Sequence, residues 1–130
     1  MCAVGRRNID EVLAAARARL HRLTPEQAAE AVRAGAILVD TRDGDARGRE
    51  GRIPGAVHAP LSVLEWRVDP DSRNQDPRLR GREDRIILIC QDGYSSSLAA
   101  IRLQELGFEN TTDVIGGVVA WVAAGLAIER

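Results

Sequence analysis

The sequence predicts an α/β fold with three layers: a central, mostly parallel five-stranded sheet with helices on both faces. Three observations carry that expectation. Residues 36–40 and 85–89 are near-continuous apolar runs rich in β-branched side chains, which is how strands covered on both faces read. Apolar positions fall at helical spacing before, between and after those runs. Strands that alternate with helices imply parallel pairing through right-handed crossovers. With 130 residues, 45% hydrophobic and 28% charged, the chain has the material for one soluble globular domain and little room for two.

Taken in order, residues 8–20 read as a helix with Asn8 as N-cap, Asp10 and Glu11 in its first turn, and Ile9, Val12, Leu13, Ala16 and Leu20 near one face. Residues 1–19 are therefore expected to form an N-terminal helical extension to a domain spanning 20–130. Leu20 to Leu23 reads as an edge strand. Thr24-Pro25-Glu26-Gln27 then combines an N-cap, an N1 proline and a capping-box glutamine, opening a helix that stops at Gly35. The strand at 36–40 ends on Asp40, followed by Arg42. Carboxyl ends of parallel strands are where ligands bind, so both residues are candidates for substrate contact, with a loop-holding ion pair as the plainer role.

Residues 43–52 are too hydrophilic for a core and read as a charged loop leading to a Pro54-Gly55 turn. A short strand at 57–59 contains His58, expected to be hydrogen-bonded in place. A helix is expected over 61–67, then a long polar loop over 69–77 punctuated by Pro70 and Pro77. From Ser96 onward Leu98, Ile101, Leu103 and Leu106 suggest a helix closed by Gly107, and a strand at 111–115 precedes Gly116-Gly117. The last helix, 118–124, carries Trp121 as a core anchor.

The chemistry concentrates at Cys90, where the strand at 85–89 ends and a helix is about to begin. A tight loop feeding a helix turns backbone N–H groups inward, and the first helical turn leaves its own N–H groups without partners. Both favour an anion, hence the nucleophilic thiolate. Gly93 permits the turn, and the serines after it are expected to cap the helix and aim hydroxyls into the bowl. The plainer reading of a cysteine at a strand end is a small buried hydrophobe.

Composition excludes several classes. A net charge of −1 and 3% aromatic residues give no footprint for nucleic acid or an anionic membrane. No apolar run approaches a membrane span, the first residues lack a signal-peptide core, and the expected location is the cytoplasm. Cys2 and Cys90 make a structural disulfide a poor expectation, and His21 and His58 are too far apart in sequence to suggest a zinc site, so no metal is expected.

Four segments together resemble the single-domain rhodanese-like sulfurtransferase family. Asp40-Thr41-Arg42 resembles its Asp-x-Arg strand end. Gly51-Arg52-Ile53-Pro54-Gly55-Ala56 resembles its Gly-His-Ile-Pro-Gly-Ala signature, with Arg52 where histidine is usual. Cys90-Gln91-Asp92-Gly93-Tyr94-Ser95 resembles its six-residue active-site loop, and Gly116-Gly117 with Trp121 resembles its closing motif.

The resemblance implies a Cys90 persulfide: the thiolate takes a sulfane sulfur from a donor such as thiosulfate or a small persulfide and passes it to a thiol or cyanide, without a cofactor. It implies that Gln91, Asp92, Gly93, Tyr94, Ser95 and Ser96 line the active-site loop with amides and hydroxyls. Ser95 stands where many members carry arginine or lysine, so Arg67 is a candidate for bringing a cation to the pocket mouth. Rival readings are a redox- or sulfide-sensing or partner-binding module, with Cys2 as a resolving thiol in the redox case, and a cysteine phosphatase or arsenate reductase, which would need arginine in place of Ser96. The expected partners are a small-molecule sulfur donor, a thiol acceptor and, at the level of assembly, a second copy of the chain.

Overall fold

The structure is a computed structural model that describes residues 5–130. Cys2 lies outside the described residues. The chain runs α1 (Ile9–Ala18), α2 (Pro25–Arg33), β1 (Ile37–Asp40), α3 (Gly44–Glu50), β2 (Val57–His58), α4 (Leu64–Val68), β3 (Ile86–Ile89), α5 (Ser95–Glu105), β4 (Thr112–Asp113) and α6 (Gly117–Ala123). Short 3-10 turns at Leu61–Val63, Pro77–Leu79 and Glu83–Arg85 punctuate the connections.

The sheet has the order β2-β1-β3-β4, and every pairing between its strands is parallel. Among the described residues it has four strands, not the five expected. The missing one is the 20–23 segment, which lies beside β4 but makes a single bridge, Leu23 to Val114. Beyond that point Thr24 starts α2, so the backbone leaves the sheet before a ladder can grow. β4 is also shorter than the expected 111–115, because Gly116 and Gly117 turn the chain into α6.

Alternation along the two central strands sorts the core into two layers. Ile37, Val39, Ile86 and Leu88 face one way, packing with Leu64 and Val68 of α4 and Ala99, Ala100 and Leu103 of α5. Leu38, Ile87 and Ile89 face the other way, against Ala28 and Ala29 of α2 and Val118 and Trp121 of α6. The Trp121 indole N–H donates to the Ala127 carbonyl at 2.8 Å, so its polar edge is satisfied as its rings are buried. α1 packs on α5, burying Leu13 and Ala16.

The expected capping box of α2 forms, and the expected N-cap of α1 proves to be a capping box as well. Asn8 and Glu11 exchange bonds at the start of α1, and Thr24 and Gln27 do so at the start of α2. The 43–52 stretch departs from expectation: it is helical over α3, capped by the Asp43 side chain accepting the Ala46 N–H at 2.7 Å. α3 buries none of its residues, so no apolar periodicity announces it. On α5 the buried positions are Ser96, Ser97, Ala99, Ala100 and Leu103, whereas Leu106 is exposed. Small side chains, with Leu103 as the one buried leucine, let this helix lie close to the sheet. Among the described residues no helix is long and apolar enough to cross a membrane.

Candidate active site

The register aligns the carboxyl ends of three strands. Asp40 pairs with Ile89, the residue before Cys90, and Asp113 pairs with Leu88 on the other side. Cys90 therefore leaves the sheet between two fully buried carboxylates. The Cys90 Sγ accepts the Gly93 N–H at 3.2 Å and lies 3.2 Å from the Ser96 Oγ. The residue is 5% exposed, so a reagent reaches the sulfur only through the cleft above it. That cleft has a volume of about 370 Å³; its walls include Thr41, Arg42, Asp43, Leu61, Gln91 and Ser95.

The loop takes its shape because its carbonyls are occupied from behind. The Cys90 and Gln91 carbonyls accept the N–H groups of Val118 and Val119, at 2.9 and 3.1 Å, as α6 begins. Gly93 O accepts Arg17 Nη2 at 2.8 Å and Arg22 Nη2 at 3.0 Å. Two glycines make the approach feasible. A Cβ on Gly117 would stand 2.4 Å from the Cys90 carbonyl oxygen, and one on Gly93, whose φ is 84°, would stand 2.6 Å from the Gly116 nitrogen. Real side chains essentially never come so close, so the Gly-Gly turn and the cysteine loop are fitted backbone to backbone.

Beneath the loop lies a buried polar network. Asp113 Oδ2 accepts the Ser96 hydroxyl at 2.7 Å and the Ser97 hydroxyl at 2.8 Å. Arg22 donates to Asp113 through Nε to Oδ1 at 2.9 Å and through Nη2 to Oδ2 at 3.2 Å. The carboxylate is fully buried, and the arginine side chain is 14% exposed. Burial of such a charge requires pairing and hydrogen bonds together, and Asp113 has both.

The serines thus do something other than what was expected. Neither Ser96 nor Ser97 caps α5, whose N-cap is Tyr94 without a side-chain bond. They tie the helix start to β4. With its proton committed to Asp113, Ser96 presents a lone pair toward Cys90.

Asp40 and Arg42 adopt the loop-holding role. Asp40 accepts the Arg42 backbone N–H at 3.0 Å, its Nε at 3.1 Å and its Nη2 at 2.8 Å. The same Nη2 reaches the Gly51 carbonyl at 2.8 Å, and Arg47 Nε adds a further bond to Asp40 at 3.2 Å. His58 Nε2 donates to the Arg42 carbonyl at 2.6 Å, which places its proton on that nitrogen. Two buried atoms of cleft residues, Arg42 Nη1 and Gln91 Oε1, have no hydrogen-bond partner.

Arg67 does not line the Cys90 cleft. It lines a neighbouring depression with Val63, Trp66 and Asn74, and donates weakly to the Asn74 carbonyl at 3.4 Å. Arg67 lies in the last turn of α4, with its side chain toward the polar 69–77 loop. Tyr94 is 61% exposed and lies under Arg17, whose guanidinium carbon is 5.3 Å from the ring centre. Asp92 is exposed, and Ser95 faces the cleft.

Sequence reasoning passed over Arg17, Arg22 and Asp113. The strand-end rule that singled out Asp40 applies equally to Asp113 and could have found it. Nothing local marks Arg17 or Arg22, which meet the loop across 76 and 71 positions of chain.

The family described as the Rhodanese-like domain matches residues 24–124. The thiosulfate sulfurtransferase GlpE of Haemophilus influenzae is 36% identical over 107 residues, covering 82% of this chain and 92% of that protein. GlpE of Actinobacillus succinogenes is 33% identical over 108 residues, covering 82% and 88%. Among solved structures, a Rhodopseudomonas palustris protein described as of unknown function and a possible tyrosine phosphatase superposes with a TM-score of 0.85 at 30% identity, covering 99% of each chain. The polysulfide-sulfur transferase homodimer of Wolinella succinogenes has a TM-score of 0.69 at 23% identity, covering 91% of this chain and 84% of that one, a likeness of fold alone.

Proposed function

This chain belongs to the Rhodanese-like domain family, and on that premise we propose that it is a sulfurtransferase working through a Cys90 persulfide. The observation that carries the reading is the orientation of the loop: the Cys90, Gln91 and Gly93 carbonyls are bonded outward while the Gly93 N–H points at Sγ. A sulfur anion meets the Gly93 N–H there, and the loop carbonyls are already engaged, while the Ser96 oxygen faces the sulfur as an acceptor for the thiol proton.

The chemistry balances without a cofactor. Cys90 thiolate attacks the sulfane sulfur of the donor; the donor's S–S bond breaks, and sulfite or a thiolate leaves with the electron pair. The acceptor thiolate, or cyanide, then attacks the outer sulfur of Cys90–S–S⁻ and regenerates the Cys90 thiolate. Arg42 is the basic residue of the cleft, and its charge is matched by Asp40. With no uncommitted cation for a dianion among the described residues that line the cleft, a small persulfide fits it better than thiosulfate as donor.

Incubation with glutathione persulfide should leave one additional sulfur on Cys90, seen by intact mass, and cyanide should remove it as thiocyanate. Cys90→Ser should abolish both. Turnover by that variant at the parental rate overturns the mechanism. The phosphatase description of the Rhodopseudomonas palustris neighbour gives a second outcome to measure. An oxyanion clamp needs a guanidinium at the position Ser96 occupies, and Ser96 is bound to Asp113. Cys90-dependent hydrolysis of an aryl phosphate would replace the sulfurtransferase reading.

A further inference from the structure

We propose that the segment ahead of the family-matched residues completes the active-site loop: Arg17 of α1 and Arg22 of the α1–α2 connection are positioning residues that hold the Gly93 peptide in the orientation Cys90 needs. The proposal deepens the sulfurtransferase reading and rests on it for its consequence, though not for its geometry.

Gly93 is the loop residue freest to change conformation, since its φ of 84° lies in the region only glycine occupies without strain. A glycine there can turn its peptide over. The clamped carbonyl shares its peptide with the Tyr94 N–H, the two point in opposite directions, and turning that peptide over would aim the Gly93 carbonyl oxygen into the loop beside the residue whose own N–H serves Sγ. Two guanidiniums prevent this by bonding the Gly93 carbonyl at 2.8 and 3.0 Å.

Each arginine is itself held in place. Arg22 is bound twice by Asp113. Arg17 Nε donates to Ser97 Oγ at 3.3 Å, and its guanidinium lies over the Tyr94 ring. Arg17 therefore touches three of the residues between 93 and 97. The two arginines precede the matched span, which begins at residue 24.

Charge points the same way. Ser95 leaves the loop without its own cation, and Arg67 lies elsewhere. Arg22 is neutralised by Asp113, but Arg17 has no carboxylate partner among the described residues. Its charge sits at the oxygen end of a peptide whose dipole then favours negative charge on the far side. The cation is supplied from behind the loop and acts through it. A fork is needed for this, because a single ammonium does not reach Gly93 O and Ser97 Oγ while covering Tyr94.

The test uses the full chain with Arg17→Ala, Arg17→Lys and, as a control that loosens α1 but keeps the fork, Leu13→Ala. Single-turnover loading of Cys90 from glutathione persulfide, followed by intact mass, should fall about tenfold or more in Arg17→Ala. Hydrogen exchange of the peptide covering 90–97 should rise in the same variant, with β1 unaffected. Arg17→Lys should recover only part of the lost rate, and Leu13→Ala should lose melting temperature while loading at close to the parental rate. Parental loading or unchanged exchange in Arg17→Ala overturns the proposal. So does full rescue by lysine, which would leave charge alone as the cause. If the parent chain takes up no sulfur, the sulfurtransferase reading fails, and the exchange measurement still decides the clamp.

Discussion

Asp40 and Asp113 are both fully buried carboxylates at the carboxyl ends of parallel strands, one on each side of the strand that delivers Cys90. Each is bound by arginine. Asp40 takes its main partner from two residues away, and the pair closes on itself, reaching out to Gly51. Asp113 takes its partner from 91 residues away and gathers two serines from the start of α5. The same ion pair thus serves two purposes. The local pair shapes one loop, whereas the distant pair joins β4, α5 and the segment before α2 around the sulfur.

The comparison breaks most visibly at Asp113. Asp113→Ala leaves Arg22 and two buried hydroxyls without their acceptor, and should cost about 3–5 kcal/mol in denaturant unfolding. Sulfur loading of Cys90 should fall with it, measured where the variant is still folded. Asp40→Ala should come next, near 3 kcal/mol, since it strands no buried hydroxyl, whereas Asp113→Ala strands two. Its loss of loading should be smaller than that of Asp113→Ala at equal folded fraction. Equal losses would show that the two carboxylates do the same work.

The smallest effect belongs to a third pair that repeats the Asp40 geometry with its arginine in solvent. Asp76 accepts the Arg78 N–H, Nε and Nη2 just as Asp40 accepts those of Arg42, but the Arg78 side chain is 61% exposed. The hydrogen bond from Arg78 holds the Asp76 carboxyl below its ordinary value, with burial working against it. A depressed carboxylate stabilises the fold above its unfolded-state value, and that contribution is lost as pH falls through the folded one. Asp76→Asn should therefore cost no more than about 1 kcal/mol at neutral pH. Melting curves of parent and variant should converge as pH drops below the usual carboxylate range.

What the sequence made legible follows the same division between near and far. Capping boxes, the Asp-x-Arg strand end, the buried strands and the cysteine loop are written within a few residues of themselves, and all can be read. α3 was missed because a helix that buries nothing has no period to detect. The fifth strand was overread because Leu20 and Leu23 are apolar; they pack against the core layers without pairing as a ladder. The rear of the site was invisible for a simpler reason. Arg17 and Arg22 are ordinary arginines in a chain that has eighteen and no lysine, and only folding shows which carbonyl they meet.

α3 contributes Ala46 to the wall of the Cys90 cleft, with its cap Asp43, yet contributes no buried side chain to the domain. The opposite side of the site is locked by glycines that tolerate no added atom. Mutational tolerance is therefore divided unevenly around one sulfur. Substitutions along 44–50, Arg47 with its bond to Asp40 excepted, can reshape what the cleft admits while leaving stability nearly untouched, so a lineage carrying this fold can change its substrate through one wall and keep its chemistry in the other.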